Sequence, residues 1–121
     1  MGQTAISATQ TRICVMADDL IWSSRLKAAV ERAGCVAVAV KDAGAIDAAF
    51  AVIDLGGRAY DGISAVRAAT SAGATVLAVA QHEDVELRKL ALAAGATRVL
   101  SYKKMFSDGP DVIARLIEGK L

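Results

Sequence analysis

Ala72-Gly73-Ala74-Thr75-Val76-Leu77-Ala78-Val79 is the stretch on which the fold turns. An alanine-rich helical pattern stops at a glycine, and an apolar run of strand type follows at once. Glycine just past the last helical residue readily takes the left-handed conformation that closes a helix. A short unbroken apolar run marks a strand buried on both faces. The same punctuation recurs upstream as Ala33-Gly34-Cys35, before the apolar run 36–40. It recurs downstream as Ala94-Gly95-Ala96, before Val99-Leu100-Ser101. Repeated helix–glycine–strand units imply right-handed crossovers and a parallel sheet.

Reading outward, Ile13-Cys14-Val15-Met16 is the first strand, 36–40 the second and Phe50-Ala51-Val52-Ile53 the third. The runs 76–79 and 99–101 supply two more. Between them apolar residues recur at helical spacing: Trp22, Leu26, Ala29, Val30 and Ala33, then Ile63, Val66, Ala69 and Thr70. Leu87, Leu90, Ala91 and Ala94 form a third stripe, and Val112, Ile113, Leu116 and Ile117 a last one. Pro110 and Asp111 read as the first turn of that last helix, where proline is tolerated and acid is favoured. The segment 41–49 has room for only one or two helical turns at 1.5 Å per residue. The expected architecture is therefore α/β: a flavodoxin-like, doubly wound, five-stranded parallel sheet in the order 2-1-3-4-5, with a shortened second helix.

Composition narrows the function classes. At 121 residues the chain fits one domain able to bury a core without disulfide or metal staples. Hydrophobic residues at 55% and charged residues at 22% exclude an intrinsically disordered chain. A net charge of +1 excludes nucleic-acid binding driven by bulk positive charge. No apolar run approaches the ~20 residues of a membrane helix, and the start of the chain lacks the basic and apolar blocks of a signal peptide. Cys14 and Cys35 read as small buried hydrophobes of a reducing compartment. A cytoplasmic protein is expected, with neither a membrane nor nucleic acid as partner. The 26 alanines, against five aromatic residues, suit helices lying close on a sheet. Residues 1–11 are polar and aperiodic and read as a disordered tail, leaving 12–121 as the domain.

In a doubly wound sheet, ligands bind at the carboxyl ends of the strands where the strand order reverses, here between strands one and three. Asp18 and Asp19 follow strand one and Asp54 ends strand three, so carboxylates from separate segments meet in one crevice. A lone aspartate there would read as a helix N-cap. Several together repel one another, which raises their pKa values or recruits Mg²⁺. His82, beside Glu83 and Asp84, reads as a loop residue or helix start. No glycine-rich phosphate loop is present, and no nucleophile stands at a supporting distance from a base. No catalytic residue is assigned, and the chain does not read as an enzyme.

Three segments then carry a resemblance. They are Ile13-Cys14-Val15-Met16-Ala17-Asp18-Asp19, Val52-Ile53-Asp54-Leu55-Gly56-Gly57-Arg58-Ala59-Tyr60-Asp61-Gly62 and Ala91-Leu92-Ala93-Ala94-Gly95-Ala96. In this order and spacing, over residues 12–119, the chain resembles the response-regulator receiver domain (CheY-like). The resemblance implies Asp54 as phosphoacceptor. It also implies Asp18, Asp54 and the Gly56 backbone carbonyl as metal ligands, with Asp19 a further candidate. Ala17 stands at the family's first acidic position, Ala80 at its hydroxyl, Val99 at its aromatic switch and Tyr102 at its lysine.

Each departure weakens a phosphate switch. An acyl phosphate on Asp54 needs its charge neutralised. Ala80 forfeits a charged hydrogen bond of about 1–3 kcal/mol, and Val99 has no ring to rotate. Lys103 and Lys104 are the candidates to replace the lysine, whereas Tyr102 would bring a hydroxyl without a charge. The expectation is an atypical, pseudo-receiver variant: a stand-alone module of two-component signalling that binds a protein partner, a sensor kinase or a downstream effector. Phosphorylation-dependent switching is weakened or lost, and Mg²⁺ binding is weak. The resemblance places the partner surface on the helix after strand four, strand five and the last helix. Arg88, Lys103 and Lys104 lie there, with Lys89, Arg98 and Arg115 nearby, and Trp22 on the first helix is a further contact candidate. The alternatives are a phosphorylation-competent single-domain receiver and a small-ligand-binding flavodoxin-like domain. No motif sets an oligomeric state.

Overall fold

A computed structural model describes residues 11–121, so all of the expected tail except Thr11 lies outside the described residues. Five strands form one sheet: β1 (Arg12–Met16), β2 (Val36–Ala39), β3 (Phe50–Asp54), β4 (Thr75–Ala80) and β5 (Arg98–Ser101). They pair in the order β2-β1-β3-β4-β5, and each pairing is parallel. The helices are α1 (Leu20–Arg32), α2 (Gly62–Ser71), α3 (Val85–Ala93) and α4 (Tyr102–Glu118). Between β2 and β3 stands a single 3-10 turn, Ala43–Ala45, as the short connection requires. Ile46 is buried beside it and closes that flank of the core.

The unbroken apolar strands are explained by what lies on either face. Successive strand residues point to opposite sides, and both sides are covered. Cys14, Met16, Ile53, Val76 and Ala78 pack with Ala65, Val66 and Ala69 of α2 and Ala91 of α3. Ile13, Val15, Val52, Leu77 and Val79 pack with Leu26 and Val30 of α1 and Ile113 and Leu116 of α4. The alanine-rich helices lie on the first of these faces. Gly34, Gly73 and Gly95, which follow α1, α2 and α3, have φ of 86°, 95° and 116°, the left-handed geometry expected of helix-closing glycines.

The last helix departs from expectation. It starts at Tyr102 rather than at Pro110, with Ser101 as its N-cap accepting the Lys104 N–H at 3.1 Å. Pro110 sits inside the helix, where it removes one N–H and costs about 3 kcal/mol. Burial offsets that cost. Met105 and Gly109 extend the stripe of Val112, Ile113 and Leu116 by two turns ahead of the proline. Gly109 also brings α4 close to α1, since a Cβ there would lie 3.1 Å from the Ala29 Cβ. Among the described residues, no helix is long and apolar enough to cross a membrane.

Candidate functional site

At the carboxyl ends of β1 and β3 a cleft opens, lined by Asp18, Asp19, Trp22, Asp54, Gly56 and Tyr102 among others. The sheet therefore brings together the carboxylates that the sequence places there. Their surroundings differ. Asp54, at the end of β3, is 2% exposed and is the buried charged side chain among the described residues. Asp18 and Asp19 are exposed.

Asp54 is held by uncharged donors. Its Oδ1 accepts the Gly56 N–H at 2.9 Å and, in a short hydrogen bond, the Tyr102 hydroxyl. Tyr102 reaches it because α4 begins at the end of β5, so the first helical residue faces into the cleft. Its ring rests on Trp22 with centroids 4.6 Å apart. Gly56 must be small for this approach, because a Cβ would lie 2.6 Å from the Tyr102 hydroxyl. Burial pushes the Tyr102 pKa up. Accepting its hydrogen bond and facing its oxygen with negative charge, Asp54 raises it further, so the phenol stays protonated.

Asp18 and Asp19 do different jobs. Asp19 caps α1, accepting the Trp22 N–H at 2.8 Å, as the capping reading supposed. Asp18 Oδ2 instead accepts two backbone N–H groups of the β3–α2 loop, Arg58 at 2.8 Å and Ala59 at 2.6 Å. The Ala59 bond is the main reason its carboxyl sits below the usual aspartate range. The same loop is pinned from inside by Tyr60. Its hydroxyl donates to the Asp54 carbonyl at 2.6 Å, with the Met16 carbonyl at 3.1 Å. Its ring occupies the space a side chain would need at residue 57, where a Cβ would fall 2.2 Å from a ring carbon. Tyr60 has no role in the sequence reading. The signal for it was a Gly-Gly pair with an aromatic residue a few positions on. Burial, then the charges of Asp54 and Asp18, push its pKa up as well.

The donor set tests the expected metal. Among the described residues, no group of three His, Cys, Asp or Glu side chains is placed to hold a metal ion. The cleft offers Asp18 and Asp54, each with one oxygen already hydrogen-bonded, while Asp19 is committed to the cap. Two carboxylates and several waters are what a loosely held Mg²⁺ uses. The residues fit a weak site and not a dedicated cage. Gly56 gives its N–H to Asp54.

Ala80 is buried at the end of β4, Val99 is buried in β5, and Ala17 is half-buried after β1. None of the three has a polar side chain to offer. Lys103 and Lys104 do not take the lysine's place. Both lie in α4, so the alternation of an extended strand does not apply to them, and they line a neighbouring cleft with His82 and Ser107. Lys104 pairs with Asp108 at 2.6 Å, and Arg88 donates to the Val99 carbonyl at 2.8 Å. Two of the expected basic contact residues are thus engaged within the chain.

No protein-family model matches the chain, and no curated protein matches it in sequence. Solved structures do match in shape. The receiver domain of Francisella response regulator 1452 superposes with a TM-score of 0.75 at 16% identity, over 93% of this chain and 100% of that one. A CheY-like response-regulator receiver domain protein from Methanospirillum hungatei JF-1 gives 0.77 at 18% identity, over 92% and 96%. A response regulator from Burkholderia pseudomallei, solved with a phosphorylated aspartic acid, a calcium ion and citrate, gives 0.71 at 18%, over 92% and 71%. At these identities the likeness is one of fold. The chain has the response-regulator receiver (CheY-like) fold.

Proposed function

We propose that this chain is an atypical receiver-type module of two-component signal transduction, working in the cytoplasm by binding another protein. A sensor kinase or downstream effector is the partner class, and neither nucleic acid nor membrane is involved. The observation that carries this reading is the Tyr102 hydroxyl on Asp54 Oδ1. Phosphoryl transfer to Asp54 would bring further negative charge to a group whose side-chain partners are a neutral phenol and an amide. Transfer of this kind is accelerated by cations at the oxygens where charge develops. Ala80 donates no hydrogen bond to a phosphate, and Val99 has no ring to swing. Modification shifts a two-state equilibrium only by its differential interaction with the two states, and here those interactions are few. Mg²⁺, held only weakly by Asp18, Asp54 and the Gly56 carbonyl, would supply part of the positive charge, and Tyr102 leaves the remainder unsupplied. Trp22, Lys103 and Lys104 are the members of the expected partner surface that line a cleft, and Lys104 is already paired with Asp108.

The test is intact-mass spectrometry after incubation with acetyl phosphate and Mg²⁺. No phosphoryl adduct is expected on the natural chain. With the partner in hand, Asp54→Asn is expected to change affinity by less than about tenfold, or ~1.4 kcal/mol. A stoichiometric adduct that disappears in Asp54→Asn would overturn the reading. It would favour a phosphorylation-competent receiver, for which Asp54 is the supporting feature: the residue lines the cleft, and its Oδ2 accepts no hydrogen bond from the described residues. The phosphorylated aspartic acid of the Burkholderia pseudomallei response regulator is the precedent for that alternative.

A further inference from the structure

Away from the Asp54 cleft, a groove runs between α1 and α4. Trp22, Arg25, Ala28 and Arg32 line it from α1, and Phe106 and Pro110 from α4. Its volume is about 160 Å³, a size that admits a benzene-sized group. Trp22, Arg25 and Arg32 recur at helical spacing, so one stripe of α1 supplies that wall.

Arg25 is the unusual member. Its guanidinium lies 5.2 Å from the Trp22 ring centroid and 4.6 Å from that of Phe106. Aromatic contact on two sides holds a guanidinium through cation–π attraction. Its N–H edges remain free: among the described residues Arg25 makes no hydrogen bond or ion pair, and neither does Arg32. Phe106 is 65% exposed, a costly position for an aromatic ring that serves only the fold. Arg32 alone would be ordinary, because a cation in the last turn favours the helix dipole. The acids on the facing stretch of α4 are already engaged, Asp108 by Lys104 and Asp111 by Arg115. The groove thus has two guanidinium groups, an apolar floor and no lining acid.

We propose that this groove binds an acidic amphipathic segment of a partner protein. Two carboxylates meet Arg25 and Arg32, and an apolar side chain seats between them on Ala28 and Pro110. A planar guanidinium held in place forms two parallel bonds to a carboxylate and loses little freedom on binding. The two arginines stand roughly 10 Å apart along the helix axis at 1.5 Å per residue, so a helical ligand presents its carboxylates at i and i+7. An apolar floor and only two cations suit a peptide better than a nucleic-acid backbone, which is gripped by many phosphate contacts. The proposal shares with the preceding section only the premise of a protein partner, and its test leaves Asp54 untouched.

The probe is a fluorescein-labelled helical peptide of about 15 residues, with glutamates at i and i+7 flanking a leucine. Binding to the full chain is followed by anisotropy. Saturable binding that weakens as salt rises is expected, because the contacts are exposed charges. Arg25→Glu with Arg32→Glu is expected to weaken it by about tenfold or more. Arg25→Lys keeps the charge but loses the planar fork, and Phe106→Ala keeps the arginine but removes one ring. Each should weaken binding severalfold while the circular-dichroism melt stays that of the natural chain. These two variants decide the matter if the double reversal fails to fold. The proposal is overturned if the peptide does not saturate, if its glutamine counterpart binds equally well, or if Arg25→Lys and Phe106→Ala leave affinity within about twofold. Equal competition by a DNA oligonucleotide would also overturn it.

Discussion

Tyr102→Phe removes one oxygen from the cleft and leaves the aromatic stack on Trp22 in place. What is lost is the hydroxyl's bond to Asp54 Oδ1. A hydrogen bond to a charged acceptor contributes about 1.5–3 kcal/mol. Asp54 is buried, but Tyr102 is only half-buried and lines a cleft open to water, so water can take the place of the lost hydroxyl in part. Asp54 also keeps the Gly56 N–H. The lower part of the range applies, and the substitution should cost about 1–2 kcal/mol. For a domain of this size that is a fall in Tm of about 4–8 °C. Repeating the substitution in an Asp54→Asn background separates charge from shape. The amide oxygen still accepts the phenol but carries no charge, so the cost should drop to about half, near the ordinary value for a neutral bond. Urea unfolding followed by Trp22 fluorescence measures all four proteins, with equal m-values as the check that only stability changed. If Tyr102→Phe costs less than about 0.3 kcal/mol, or costs the same in both backgrounds, the hydroxyl does not hold the carboxylate and the account of the cleft fails.

Three further outcomes follow from the same geometry. Gly57→Ala should cost about 1–3 kcal/mol, because its Cβ would sit 2.2 Å from the Tyr60 ring and force that ring off the Asp54 carbonyl; an unchanged urea midpoint would contradict the placement of Tyr60. Tyr60 and Tyr102 both ionise later in the folded chain than in the unfolded one, so their contribution is present below pH about 10 and declines as pH rises past it. The loss should reach up to about 1.4 kcal/mol per pH unit per tyrosine, and a Tyr60→Phe/Tyr102→Phe variant should show a flatter decline by chemical denaturation. Ile113→Ala, fully buried where α4 meets the sheet, should cost about 2–5 kcal/mol in the same assay; a cost below about 1 kcal/mol would mean that α4 is not packed there as described.

The sheet was legible because its signals are local. A glycine that must adopt positive φ, followed by a run of apolar residues buried on both faces, can be read without knowing what lies across the fold. Asp54 and Asp18 were legible for the same reason: each sits at the end of a strand whose neighbours are set by topology. What each carboxylate does was not. Asp18 binds the backbone of residues 58 and 59, some forty positions along the chain, and side-chain spacing carries no trace of a backbone partner. Tyr102 was recognised by position, but whether it, Lys103 or Lys104 reaches Asp54 depends on where the last helix begins. That start was misplaced because Pro110 reads locally as a first-turn residue. The buried stripe through Met105 and Gly109 overrides the local preference. The Arg25 clamp was missed because one of its rings, Phe106, lies on the part of α4 that was not read as helix.

Pro110 has a further consequence, in the time domain. It contributes no amide hydrogen, and the rung it would have donated to the Phe106 carbonyl is missing. The downstream turns are anchored by Val112, Ile113 and Leu116 and share the protection of the core. The upstream turns carry Tyr102 and Phe106 and hold the core chiefly through Met105 and Gly109. Hydrogen exchange should therefore divide α4 into two classes, with upstream amides exchanging through a local opening and downstream amides only through global unfolding. The lifetime of the closed cleft becomes separable from the lifetime of the fold, and Pro110→Ala should bring the two together.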